Sequence, residues 1–190
     1  MIMDPRYADL VRRAKRSELS REEIDAVAEE LRHPLPHTDP YYLLAILGEA
    51  GGVWHRELVE RFLEAGNNPW LARKALQVLC ADWGDTDRYL DELAQFLAGA
   101  PWDTDDDVRL VAMTWAGEYL RDHREPRLLR ELLRIFDDQG ERELLRRTAY
   151  DSLARATGRP WSATSVSREQ PPVDRMVIEE ARQRLVTRGG

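Results

Sequence analysis

Beyond residue 38 the chain repeats itself, and that repeat leaves few folds open. First segments of successive helix pairs open near Asp39-Pro40, Asn68-Pro69, Asp105-Asp106 and Glu141, each with a side chain or proline suited to a helix N-terminus. Inside them Leu43, Ala75, Ala112 and Ala149 align as the small or apolar residue facing a neighbouring helix, in steps of 32, 37 and 37 residues. Second segments follow at about 55–65, 86–98 and 126–138. The three phenylalanines of the chain, Phe62, Phe96 and Phe136, fall in their last turns, each followed within four residues by Gly66, Gly99 or Gly140. Glycine accepts the left-handed backbone that ends a helix, so the pattern predicts three helix stops, each with a buried aromatic anchor.

The flanks read as closures of this array. Ser20-Arg21-Glu22-Glu23 is a capping box, opening a helix whose core stripe is Ile24, Val27, Ala28 and Leu31. Pro34 and Pro36 stop it, because each disfavours the helical conformation of the residue before. Residues 1–37 thus form an N-terminal helix pair, with helices at about 5–16 and 21–32. Residues 38–158 are the repeats, and 159–172 form a polar, proline-bearing loop. Residues 173–190 are a capping helix and tail, with Val173, Val177, Ala181 and Leu185 on one face. β-Branched residues are sparse and no stretch alternates as a strand does, so the expectation is one all-α domain over residues 1–190.

Asp107-Val108-Arg109, followed by Ala112 and Ala116-Gly117-Glu118, resembles the first helix of a HEAT repeat, and Leu47-Gly48-Glu49 is similar to a second, partial copy. The resemblance covers about residues 39–156. It implies a right-handed α-solenoid of stacked antiparallel helix pairs whose second helices line the concave surface. The run Trp83-Gly84-Asp85, Trp102-Asp103, Asp105 to Arg109 and Gly117-Glu118-Tyr119-Leu120 further resembles small bacterial HEAT-repeat proteins that act as immunity partners of secreted polymorphic toxins.

No catalytic constellation is present: there is no glycine-rich phosphate loop, no His-Glu-x-x-His and no Cys-x-x-Cys. The expectation is no enzyme, no cofactor and no metal. His33, His37, His55 and His123 read as solvated loop residues, and Cys80 as a small buried hydrophobe. Asp103-Thr104-Asp105-Asp106-Asp107 invites a calcium reading, but Val108 stands where the loop needs glycine and Thr114 where it needs a bidentate glutamate. The longest apolar run, Tyr41 to Leu47, is too short to span a bilayer, so a cytoplasmic protein without membrane contact is expected. Arginine supplies nearly all the positive charge, with Lys15 and Lys74 the only lysines, which suggests a GC-rich bacterial source.

Charge distribution carries the functional expectation. The formal net charge is −7, which argues against direct binding of nucleic acid. From Asp82 to Asp107 nine acids stand against a single base, Arg88. On one helix over 86–98, Asp87 and Asp91 share the face opposite Leu90, Leu93, Phe96 and Leu97, and the resemblance turns that face into the groove. Aromatic anchors beside charge are the composition of binding hot spots. The expected partner site is therefore Trp83, Asp85, Asp87, Tyr89, Asp91, Glu92, Trp102, Asp103, Asp105 and Glu118. It suits a basic protein partner, foremost a toxin domain such as a nuclease, whose active cleft already attracts anions. A HEAT-repeat scaffold or lyase-like partner protein is the alternative reading. A HEAT-like DNA glycosylase is a lesser one, because its surface must be basic.

Overall fold

A computed structural model describes residues 5–64, 68–159 and 174–186, and among them every regular element is helical. In chain order the α-helices are α1 (Pro5–Lys15), α2 (Arg21–Arg32), α3 (Pro40–Glu49), α4 (Arg56–Glu60), α5 (Pro69–Gln77), α6 (Leu90–Ala98), α7 (Asp107–Asp122), α8 (Pro126–Asp137), α9 (Glu143–Ala156) and α10 (Arg175–Val186). Two compact units result: one runs through Arg88 and adds Trp102–Val108, the other takes Tyr89–Pro101 and everything from Arg109 onward.

Local chemistry sets most helix starts where the sequence places them. Ser20 Oγ accepts from the Glu23 amide at 3.3 Å while Glu23 Oε2 accepts from the Ser20 amide at 2.9 Å, so the capping box is complete. Asp39 caps α3 by accepting from the Tyr41 amide at 3.0 Å, and Asn68 caps α5 through the Trp70 amide at 2.9 Å. Proline follows each cap, where its missing N–H costs nothing. Two starts differ. The helix expected at 105–106 opens at Asp107, because Asp106 takes a φ of 60° and Asp103 reaches forward to accept from the Val108 amide at 3.0 Å. The helix expected at Glu141 opens at Glu143.

In the first unit α1 and α2 both pack on α3, which in turn packs on α5. Position in the middle explains why α3 buries Leu43, Leu44, Ile46, Leu47 and Gly48 almost all round, while α2 buries only the stripe Ile24, Val27, Ala28 and Leu31. The second segment expected over 55–65 is three short pieces: 3₁₀ turns Val53–His55 and Arg61–Leu63 flank α4. Tighter 3₁₀ winding shifts the inward position, so Leu58, Val59 and Leu63 fill the core and Phe62 is only half-buried. Helix α5 runs on into a single π turn, Val78–Asp82, closed by the Trp83 amide donating to the Val78 carbonyl at 2.9 Å. Cys80 is buried there.

In the second unit α8 and α9 pack closely, α6 and α10 lie against α8, and α10 also meets α9. Leu128, Leu132 and Ile135 are the innermost stripe of α8; Phe136 falls beside it, half-buried, with its ring 6.0 Å from that of Tyr150. Phe96 is 3% exposed, so of the three expected anchors it alone is fully inside. Gly99 ends α6 at a φ of 96°, as the helix-stop pattern requires, whereas Gly140 lies past the α8 cap Asp138 with an ordinary backbone. Gly66 lies outside the described residues, as do Val173 and the loop from residue 160. Helix α10 buries Val177, Ile178 and Ala181.

One register carries small residues throughout. Gly48, Cys80, Gly117 and Ala154 are separated by the same 32, 37 and 37 residues as the core positions, and all four are buried. A Cβ on Gly117 would lie 2.7 Å from the Ser152 carbonyl oxygen and 2.8 Å from its Cα, so α7 and α9 meet backbone to backbone. A Cβ on Gly48 would meet the Asp82 carboxylate and, at 2.9 Å, Val78 Cγ2. Near the start of α7, Arg109 is buried, its Nε donating to the Leu97 carbonyl at 3.0 Å and its guanidinium 2.8 Å from Glu141.

Candidate partner-binding surfaces

The acidic run divides between the two units. In the first, Asp87 and Asp105 are exposed, Asp85 is half-buried and paired with Arg56, and Trp83 and Trp102 are half-buried. The Trp83 indole N–H is buried without an acceptor among the described residues. Asp103 is only 5% exposed and serves as the cap of α7, so it presents no surface to a partner. In the second unit Tyr89 is 2% exposed, a core residue rather than an anchor. Asp91 has a side chain 83% exposed and pairs with Arg127 at 2.7 Å, Glu92 is half-buried, and Glu118 is shared by Arg121 at 3.2 Å and Arg155 at 3.3 Å. The single helix assumed over 86–98 is a 3₁₀ turn, Thr86–Tyr89, followed by α6, so the 100° projection that aligned Asp87 with Asp91 does not hold across Tyr89.

A second surface, in the first unit, was not foreseen. Capping places Tyr41 and Trp70 at equivalent points, each two residues after its cap on α3 and α5. Their rings meet edge to face with centroids 6.5 Å apart, and Tyr42 extends the cluster to Tyr7 at 5.9 Å. Trp70 is 55% exposed, with the Arg73 guanidinium 5.4 Å from its ring. Beneath this patch Lys74 is 7% exposed, its ammonium 5.8 Å from the Tyr41 ring. Burial pushes that ammonium below the usual lysine range, and the charges of Asp82 and Glu49 oppose the push. Asp82 is exposed by area, yet partial desolvation raises its carboxyl above the usual aspartate range, and the charge of Lys74 opposes the rise.

His55 corrects the reading of the histidines as solvated. It is buried, its Nε2–H donates to Asp25 Oδ1 at 2.7 Å, and its Nδ1 accepts from Arg32 at 3.3 Å. The Trp54 indole donates to the same Asp25 oxygen at 2.7 Å. These two bonds, Trp54 first, hold the Asp25 carboxyl below the usual aspartate range. With both ring nitrogens engaged, His55 fastens α2 to the turn after α3 and offers neither a base nor a ligand. Among the described residues no three His, Cys, Asp or Glu side chains gather closely enough to hold a metal, and no helix is long and apolar enough to cross a membrane. Compared with protein families and with curated proteins, the chain finds no match.

Proposed function

We propose that the chain is a protein-binding module, its helix pairs stacked in the manner of a short HEAT-like solenoid, and that it takes a basic protein partner, foremost a toxin domain that it neutralises as an immunity protein. The observation that carries this reading is the Trp70 cluster. A tryptophan left more than half exposed, braced by Tyr41 and stacked with Arg73, is the residue combination that dominates interface energetics. Each ring is held by neighbours before any partner arrives, so little side-chain freedom is lost on binding. The exposed acids Asp87 and Asp105 of the same unit and Asp91 of the other support a basic partner, since complementary charge steers encounter. Packing of α1, α2 and α5 on α3 in the first unit, and of α6, α9 and α10 on α8 in the second, supports the stacked arrangement.

The test is capture of partners from the encoding organism on the immobilised chain, followed by kinetics with the purified partner at two salt concentrations. Trp70→Ala is expected to raise the off-rate, at a cost of about 2 kcal/mol or more. Reversal of Asp87 and Asp105 to lysine is expected to slow association and flatten its dependence on ionic strength. A partner whose dissociation ignores Trp70→Ala and whose association ignores both salt and charge reversal overturns the proposal. So does the absence of any protein retained by the unmodified chain and lost with Trp70→Ala.

A further inference from the structure

Tyr41, Tyr42 and Trp70 share more than ring contact: each carries a hydrogen-bond donor that the fold does not use. Among the described residues, the Trp70 indole N–H and the hydroxyls of Tyr41 and Tyr42 make no hydrogen bond, although Trp70 is exposed and both tyrosines are half-buried. Tyr7, the fourth ring, is the contrast: it is a core residue, and its hydroxyl donates to Glu30 Oε1 at 2.9 Å. Side-chain acceptors next to the open rings are already engaged. Asp39 Oδ1 accepts from the Tyr41 amide and Asn68 Oδ1 from the Trp70 amide, so the patch is rich in donors and poor in acceptors.

Its charge has the same sense. The Arg73 guanidinium lies beside the Trp70 ring, held by Asp107 at 3.3 Å, and the Lys74 ammonium lies near the Tyr41 ring with no ion pair among the described residues. A basic segment laid on these rings would meet like charge, which costs affinity. What covers them must therefore bring an apolar body, acceptors without donors, and no positive charge.

A polyproline II segment meets all three conditions. Its backbone carbonyls make no internal hydrogen bonds, and proline has no N–H to leave unsatisfied. A helix has spent its carbonyls, and an ordinary strand brings N–H groups that would find few acceptors here. Spacing agrees as well: two residues of polyproline II advance about 6 Å, and the ring centroids lie 5.8 Å apart from Tyr42 to Tyr41 and 6.5 Å from Tyr41 to Trp70. Resting on the reading of this cluster as a protein-binding surface, we propose that the partner seats a proline-rich segment on Tyr42, Tyr41 and Trp70. A carbonyl oxygen of that segment accepts from the Trp70 indole N–H, and the basic body of the partner faces Asp87 and Asp105.

The experiment titrates decaproline into the full isotope-labelled chain and follows amide and indole resonances, with a glycine–serine decamer and cellohexaose as comparison ligands. Trp70→Phe keeps an aromatic ring and removes the donor; the indole resonance it loses identifies that of Trp70. Decaproline is expected to shift that resonance saturably, the glycine–serine decamer is not, and Trp70→Phe is expected to weaken decaproline by about fivefold. Dispersed resonances confirm that the variant folds; should it not, the comparison of ligands on the unmodified chain decides. The proposal is overturned by an absence of saturable shifts up to about 5 mM decaproline. Equal binding of the glycine–serine decamer, or indifference of decaproline to Trp70→Phe in a folded variant, overturns it too. So does binding of cellohexaose in place of decaproline, which would make the patch a carbohydrate surface. The partner reading fails separately: it falls if the captured protein ignores Trp70→Ala, whatever decaproline does, and it stands if that protein needs Trp70 while decaproline does not bind.

Discussion

Replacing Gly117 with alanine tests the close approach of α7 and α9. Taken alone, the exchange helps a helix by about 0.8–1 kcal/mol, because glycine is the poorer helix former. The added Cβ, however, sits 2.7 Å from the Ser152 carbonyl oxygen and 2.8 Å from its Cα and Cβ, against ordinary contacts of 3.4–4 Å. These are mostly backbone atoms in the middle of α9, so no side-chain rotation clears them and the two helices must separate by several tenths of an ångström. Forcing an extra carbon into a packed interior costs about 1–3 kcal/mol, and with the backbone itself opposing, the upper half of that range applies. The net expectation is a loss of about 1–2 kcal/mol, which for a chain of this length lowers Tm by about 2–8 °C. Gly48→Ala is the internal control, because one of its obstacles, the Asp82 carboxylate, belongs to an exposed side chain that can turn away. Its loss should be smaller than that of Gly117→Ala by about 1 kcal/mol. Urea and thermal melts followed by circular dichroism measure both. A Gly117→Ala variant as stable as the unmodified chain, or more stable, would show that α7 and α9 do not meet at this point.

Two further outcomes follow from particular side chains. Arg109→Ala removes the guanidinium from the Leu97 carbonyl and leaves the Glu141 carboxylate with the Arg142 amide, and breaking a largely buried ion pair on one side costs about 3–5 kcal/mol; a loss below about 1 kcal/mol in urea melts would place Arg109 in solvent. The Ser20 amide and then Arg13 hold Glu23 below its ordinary 4.5, and Trp54 and then His55 hold Asp25 below its ordinary 3.8. Depressed carboxylates give stability that is complete above those values and lost as pH falls through the lower folded ones, so Glu23→Gln with Asp25→Asn should flatten the decline below about pH 4.5; an unchanged slope in acid melts counts against both contacts.

Much of the fold was legible because helix starts and amphipathic stripes are local. The box at Ser20–Glu23, the caps Asp39 and Asn68, and the buried stripe of α2 each depend on residues within a turn or two, and each stands where the sequence places it. Leu43, Ala75, Ala112 and Ala149 are fully buried for the same reason: the repeat fixes their register. Phe62 and Phe136 misled because burial was inferred from position in a helix assumed to be regular; a 3₁₀ turn and a neighbouring stripe moved them outward. Tyr89 and Asp103 misled differently, since composition marks an aromatic or an acid as available without saying that the core or a helix end has already taken it. The Trp70 cluster did have a sequence signal. Asp39-Pro40-Tyr41 and Asn68-Pro69-Trp70 are the same cap, proline and aromatic, and two helices that pack side by side bring such matched positions together. His55 had none, because its partners Asp25 and Arg32 lie 30 and 23 residues away.

The burial of Lys74 has a consequence for anyone handling the protein. Of the two lysines in the chain, one is enclosed beneath Tyr41 and the other, Lys15, ends α1 with its side chain 59% exposed. Reagents and enzymes that attach to primary amines need access before they need nucleophilicity, so in the folded chain they meet one ready lysine besides the α-amino group. A dye, a surface tether or a cross-linker aimed at amines therefore lands on a defined spot at the end of a helix, and the appearance of a second labelled lysine reports that the packing around α5 has opened.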